Sequence, residues 1–212
     1  MYTLDKVMNG KLFEYCYFLH KDNDKRSICI DPGYDTNRIM NFIEQNGLII
    51  DTILLTHGHF DHMLSCKAIQ DKFNCKIYIS KEDEEILYDP HRNYAELIRK
   101  YELEKFKITA NVVDDEELEI IGLKVKCIAT PGHTKGGFSY YIESENMLFS
   151  GDTLFYETCG RTDLYGGDFE AIKNSIVHKL FTLPDDTKVY PGHGNETNIL
   201  YEKIHNEIIR GA

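Results

Sequence analysis

The sequence holds no run approaching the 18 or so apolar residues of a membrane helix. Its first residues, Met1-Tyr2-Thr3-Leu4-Asp5-Lys6, carry an acid and no apolar h-region, so they do not read as a secretory signal. The expected location is the cytoplasm. Positive charge is also in short supply. There are 24 Lys and Arg against 35 Asp and Glu, a formal net charge of −11. That excludes the clustered cations on which nucleic-acid binding depends. No nucleic-acid partner and no membrane partner is expected, and the oligomeric state stays open. None of the six cysteines (Cys16, Cys29, Cys66, Cys75, Cys127, Cys159) forms a C-x-x-C pair. In a chain this long they read as reduced, buried thiols acting as small core hydrophobes, with Cys159 the least certain. Low-complexity linkers and short repeats are missing, so one domain over residues 1–212 is expected.

What is present is a mixture of strands and helices in both halves. Strands are predicted at Leu12–Leu19, Ser27–Ile30, Ile49–Leu55, Lys76–Ile79, Leu123–Ile128, Phe138–Ile142, Met147–Phe149 and Lys188–Tyr190. Helical spacing of apolar residues predicts helices from Thr36 to a stop at Gly47, from His62 to Lys72, from Asp168 to Leu180, and a last one carrying Ile199, Leu200, Ile204 and Ile208. Ser80, with Asp83 three residues on, suggests a capping box. Asp114-Asp115-Glu116-Glu117 reads as a solvated turn, and the 89–108 stretch resists assignment. The fold class is α/β or α+β, in layers.

Four segments carry the chemistry. They are Thr56-His57-Gly58-His59-Phe60-Asp61-His62, Thr130-Pro131-Gly132-His133-Thr134, Ser150-Gly151-Asp152-Thr153 and Tyr190-Pro191-Gly192-His193-Gly194. Each follows a predicted strand and sets a histidine or aspartate beside glycine, which lets the backbone turn sharply and approach closely. Side chains at adjacent strand ends converge on one rim of a sheet. The segments therefore gather His57, His59, Asp61, His62, His133, Asp152 and His193. Imidazole and carboxylate donors without thiolate suit zinc, iron or manganese. Seven donors are too many for one tetrahedral zinc, but two ions sharing a carboxylate would use them all. His20, His91, His178 and His205 lie in no such context and read as ordinary polar residues.

H-x-H-x-D-H, then G-H-T, G-D-T and P-G-H-G, resembles the metallo-β-lactamase superfamily from Asp31 to His193. Within it, Cys159-Gly160-Arg161-Thr162-Asp163 resembles the G-R-T-D loop of glyoxalase II-like hydrolases and of their persulfide dioxygenase cousins. The resemblance implies an αββα sandwich of two mixed sheets with helices outside. It implies one metal on His57, His59 and His133, a second on Asp61, His62 and His193, and Asp152 as the bridge. Asp31 would then orient a metal-bound histidine, and Arg161 would order the site or meet an anionic substrate unless it simply pairs with Asp163. Two divalent ions are implied, zinc first, with iron or manganese as the other fits. The activity implied is hydrolysis of a thioester or related acyl bond in a small-molecule substrate. Metal-activated hydroxide would attack the carbonyl, with Asp61 relaying the proton. The other activities implied are an iron-dependent persulfide dioxygenase and a lactonase. The C-terminal helical extension through which glyoxalase II holds glutathione is not expected after His193. Tyr156, Tyr165 and Lys135 are candidates for lining the pocket.

Overall fold

The structure, a computed structural model, describes residues 1–10, 12–98 and 104–210. Its strands form two six-stranded sheets, and in each the strands lie side by side in sequence order. The first sheet holds β1 (Tyr2–Asn9), β2 (Glu14–Lys21), β3 (Asp24–Ile30), β4 (Ile49–Leu54), β5 (Lys76–Ser80) and β6 (Ala110–Val112). The second holds β7 (Glu117–Ile120), β8 (Leu123–Ala129), β9 (Phe138–Ile142), β10 (Met147–Gly151), β11 (Lys188–Pro191) and β12 (Thr197–Asn198). Both sheets are mixed: β1–β2–β3 pair antiparallel and β3 to β6 parallel, while in the second sheet only β10 and β11 run parallel. Helices α1 (Thr36–Asn46), α2 (Phe60–Met63), α3 (Cys66–Phe73) and α4 (Lys81–Glu84) belong to the first half, and α5 (Phe169–His178), α6 (Ile199–His205) and α7 (Glu207–Arg210) to the second. Among the described residues no helix is long and apolar enough to cross a membrane.

The sandwich follows from strands that are apolar on both faces. On β2, Cys16 and Phe18 pack toward Ile39 and Ile43 of α1, while Tyr17 and Leu19 face the opposite way. That second face meets Val125, Cys127, Tyr140 and Phe149 of the other sheet, forming the layer between the sheets. Beyond the second sheet, Ile128, Tyr141 and Leu148 pack on Ile172 and Ile176 of α5 and Ile199 of α6. Three apolar layers separated by two sheets make an αββα sandwich.

Several elements differ from expectation. The helix expected over His62–Lys72 is two helices, because Ser65 turns away to donate its hydroxyl to Gly33 O (2.7 Å) and its N–H to Pro32 O (3.0 Å). The last helix breaks at Asn206, whose side-chain amide donates to Thr158 O and to Glu202 Oε2, while its backbone N–H still donates to Glu202 O. The opening strand begins at Glu14 rather than Leu12, since Phe13 has a positive φ of 58°. β1, β6, β7 and β12 were not expected from the sequence. β1 is an edge strand with mostly polar, partly exposed residues, and the others are four residues or shorter. The acidic run is a turn between β6 and β7, with Asp114 bonded to Ala129 N and Lys179 Nζ. Of the 89–108 stretch, residues 99–103 lie outside the described residues.

The same architecture fixes where the motifs come together. β8 and β10 flank β9 antiparallel, and β11 runs parallel to β10, so the C-terminal ends of β8, β10 and β11 share one edge. The first sheet is tied to that edge through the end of β4. Phe138 N donates to Thr56 O (2.8 Å), and the Tyr140 hydroxyl donates to Leu55 O (2.7 Å).

Candidate metal centre

Four donors come from the single turn between β4 and α2. His57 and His59 stand on its extended part, and Asp61 and His62 on the first turn of α2. The other three come one from each strand end: His133 after β8, Asp152 after β10 and His193 after β11. Glycines permit the crowding. A Cβ on Gly132 would lie 2.2 Å from Ile172 N, and one on Gly192 would lie 2.3 Å from Asp152 Oδ1.

The structure brings all seven side chains together. His57, His59 and His133 form one set whose donor atoms lie within 4.8 Å of one another, and Asp61, His62 and His193 form another. Asp152 stands between them. Its Oδ2 is 3.5 Å from His133 Nε2 and 3.6 Å from His193 Nε2, and its Oδ1 is 3.5 Å from His62 Nε2. His57, His59, Asp61, His62 and His133 are buried, and Asp152 and His193 are partly exposed.

The tautomers follow from the outer partners. His62 Nδ1 donates to Asp31 Oδ2 (3.0 Å), His133 Nδ1 to Arg161 O (2.8 Å) and His193 Nδ1 to Leu12 O (3.0 Å). Thr56 Oγ1 donates to Asp31 Oδ2 (2.7 Å), so it accepts from His57 Nδ1 (3.0 Å). Each of these four rings therefore turns an Nε2 lone pair inward. His62 Nε2 and His193 Nε2 face each other at 3.4 Å, lone pair to lone pair. His57 Nε2, His59 Nε2 and Asp152 Oδ1 are buried with no hydrogen-bond partner. Buried polar atoms without partners are costly, and lone pairs do not satisfy one another. A cation between them does, and the donor chemistry fits a divalent metal.

The electrostatics agree. Burial, with the neighbouring imidazoles, pushes the His57 pKa well below its ordinary value and that of His59 down to about 3. Burial also opposes protonation of His62 and His193, yet the carboxylates around them, Asp152 foremost, hold both pKa values up. The carboxyls of Asp61 and Asp152 are likewise held low by the imidazoles in spite of burial. His57 and His59 are thereby kept neutral, and the ionised carboxylates of Asp61 and Asp152 beside them favour positive charge within the pocket.

Around the donors lies a cleft of about 560 Å³. Its walls include Leu12, Phe60, Tyr94, Leu97, Phe155 and Leu164, together with Cys159 and Arg161. Burial pushes the Cys159 thiol up to about 11. The Arg161 guanidinium is exposed and bonded twice to Asp163 at 2.7 Å, so its link to the centre is its backbone carbonyl. Tyr156, Tyr165 and Lys135 do not line the cleft. Tyr156 stacks on Tyr201, Tyr165 N donates to the Tyr94 hydroxyl, and Lys135 points to solvent. Asp31 accepts from Thr56 N, from the Thr56 hydroxyl and from His62.

Two buried acids beside the centre were missed in the sequence. Glu14 is fully buried, accepts from Asn9 Nδ2 (2.8 Å) and has its carboxyl pKa pushed up by burial. Its backbone pairs with that of His193, which pins β2 against the last donor loop. An acid inside the aromatic run Leu12–Leu19 was the available signal. Asp83 is buried on α4, where burial raises its pKa against the pull of the hydrogen bonds it accepts.

The metallo-beta-lactamase superfamily pattern matches residues 9–193. The chain belongs to the metallo-β-lactamase superfamily. It is 35% identical to the probable metallo-hydrolase YqgX of Bacillus subtilis (strain 168), across 95% of each chain. It is 32% identical to the hydroxyacylglutathione hydrolase GloC of Haemophilus influenzae, across 89% of each. Among solved structures, the BLEG-1 B3 metallo-beta-lactamase superposes with a TM-score of 0.90 at 34% identity, covering 96% of this chain and 98% of that one. The two mixed sheets and outer helices are the fold of this superfamily. Its members bind divalent metals, and the His/Asp cluster fits that property.

Proposed function

We propose that this protein is a two-metal hydrolase that cleaves a thioester or related acyl bond of a small molecule. One observation carries the reading: two sets of three donors face inward, and a single carboxylate, Asp152, reaches both. His57, His59 and His133 would hold one ion, Asp61, His62 and His193 the other, and Asp152 both. Zinc suits the donors first, and iron or manganese also fit. When bound, such ions polarise the substrate carbonyl and supply a nucleophilic water near neutral pH.

The chain's own residues do the rest. Asp61 lines the cleft with its Oδ2 3.5 Å from His193 Nε2, where it orients the attacking water and accepts its proton. Phe60, Phe155, Leu97 and Leu164 supply apolar walls that strengthen electrostatic interactions within the cleft. A thiolate leaves without protonation, so a thioester needs no separate general acid. The likeness to GloC, named as a hydroxyacylglutathione hydrolase, supports the same class.

Hydrolysis of S-lactoylglutathione and of simple acyl thioesters by zinc-loaded protein tests this. Turnover that chelation abolishes and zinc restores is the expected result. A loaded protein inactive on every thioester, but consuming oxygen with a persulfide when iron-loaded, would replace it with the dioxygenase reading. Turnover confined to lactones would leave the centre standing and change the substrate.

A further inference from the structure

Asp83 sits on α4 just after β5, 1% exposed and outside both donor sets. Its carboxylate accepts three hydrogen bonds from the donor loops. Oδ2 takes the N–H of Gly58 (2.9 Å) and the hydroxyl of Thr134 (2.8 Å), and Oδ1 takes the N–H of Gly136 (2.8 Å). Gly58 lies between His57 and His59, and Thr134 follows His133. A Cβ on Gly136 would lie 2.5 Å from Asp83 Oδ1, and one on Gly58 would lie 2.8 Å from Asp83 O. Glycine at both positions lets two loops, one from each sheet, close on the same carboxylate.

The bonds of Asp31 fall elsewhere: it touches Thr56 and His62. Asp31 thus holds His62 directly and reaches His57 only through the Thr56 hydroxyl, whereas Asp83 holds the loops that carry His57, His59 and His133. We propose that Asp83 is a positioning residue for the His57, His59 and His133 set alone, fixing its geometry without touching a bound ion. This rests on the two-ion reading above. The chemistry makes the carboxylate hard to replace. Asparagine keeps one acceptor oxygen but aims N–H groups at N–H and O–H donors that already point at it.

The test is zinc binding to the full chain, stripped of metal and titrated against a competing chelator, for wild type and Asp83→Asn. Two wild-type steps are expected, with one weakened about 10–100-fold in the variant, the usual effect of losing a group behind the ligands. The set is identified by repeating Asp83→Asn in two backgrounds. With His133→Ala the extra loss shrinks below about twofold, because that set is already broken, while with His193→Ala it persists in full. Equal losses in both backgrounds, or equal weakening of both steps, describe general loosening and overturn the proposal. Thr134→Val and Thr134→Ser carry the same test with less damage. Valine removes one bond and weakens the same step, and serine restores it; indistinguishable valine and serine variants overturn the proposal. If wild-type protein binds fewer than two zinc ions, the two-ion reading falls first and takes this one with it. Two intact wild-type steps with an unaffected Asp83→Asn sink this one only.

Discussion

The two halves of the sandwich furnish the centre in opposite ways. The first sheet delivers four donors from one short turn, between the end of β4 and the first turn of α2. The second delivers three, each from a different strand end. The compact turn is held by Thr56, which accepts from His57, and by Asp31 from the end of the neighbouring strand β3, which accepts from His62. Donors on separate strands depend on the sheet's register and on how closely its loops pack. The four-donor turn is therefore expected to tolerate small backbone shifts better, and the spacing between the two donor sets to depend on the second half.

The largest effect tests that division at its hinge. Asp152 is the second half's reach into both donor sets, so Asp152→Ala should lower thioester turnover by about 10³-fold, the several kcal/mol that metal charge contributes. Metal content should fall while circular dichroism stays native. Near-normal turnover would show that the bridging carboxylate is dispensable. Next comes metal removal. The donors clasp the halves together, so stripping the ions should cost about 2.7 kcal/mol when free metal is a hundredfold above its Kd. A urea midpoint unchanged by chelation would separate the clasp from the fold.

Gly132→Ala presses on the second half's packing. Its φ is 136°, and the added methyl would meet the backbone of Ile172 on α5. The expected cost is about 2 kcal/mol. Gly58→Ala, in the first half, meets a flexible Ile86 side chain and Asp83 O at 2.8 Å with no positive φ, and should cost less. Denaturation of the pair ranks them, and the reverse order breaks the comparison. The smallest effect belongs to Arg161→Ala. Only the Arg161 carbonyl reaches His133, and exposed ion pairs contribute about 0–1 kcal/mol. Turnover of an uncharged thioester should change less than about twofold; a large loss would give the guanidinium a role beyond its pair with Asp163.

The donors were legible in the sequence because each of their four segments sets a histidine or aspartate beside glycine directly after an apolar strand, a local pattern needing no knowledge of the fold. Their supports were not. Asp83 reads as the partner of the Ser80 cap, and its N–H does donate to Ser80 Oγ at 3.2 Å. Nothing local announces that its carboxylate also gathers Thr134 and Gly136, some fifty residues away. Glu14 lies in an aromatic run that reads only as a strand, and its burial, with its backbone paired to His193 and its carboxylate against Asn9, is a tertiary fact. Tyr94 and Leu97 of the cleft come from the stretch that resisted assignment, while Tyr156, Tyr165 and Lys135 fall outside it. Lining a cleft is decided by how loops from distant strands pack, which periodicity does not encode. Ser65 shows the same limit for elements: helical spacing runs through it, and a tertiary bond to Gly33 ends the helix.

Sequence order within each sheet bears on how the protein is made. Every strand of the first sheet is complete by Val112, before the first strand of the second begins at Glu117. A ribosome therefore releases one whole sheet, with its four-donor turn already shaped, while the facing layer has yet to be synthesised. Pairing among sequence neighbours lets each sheet form without waiting for the other. The inner faces of Tyr17, Leu19 and Ile30 stay uncovered meanwhile, and His193 is the last donor to be translated. The full seven-donor centre is therefore complete only after the last strand end has been translated and docked on the first sheet.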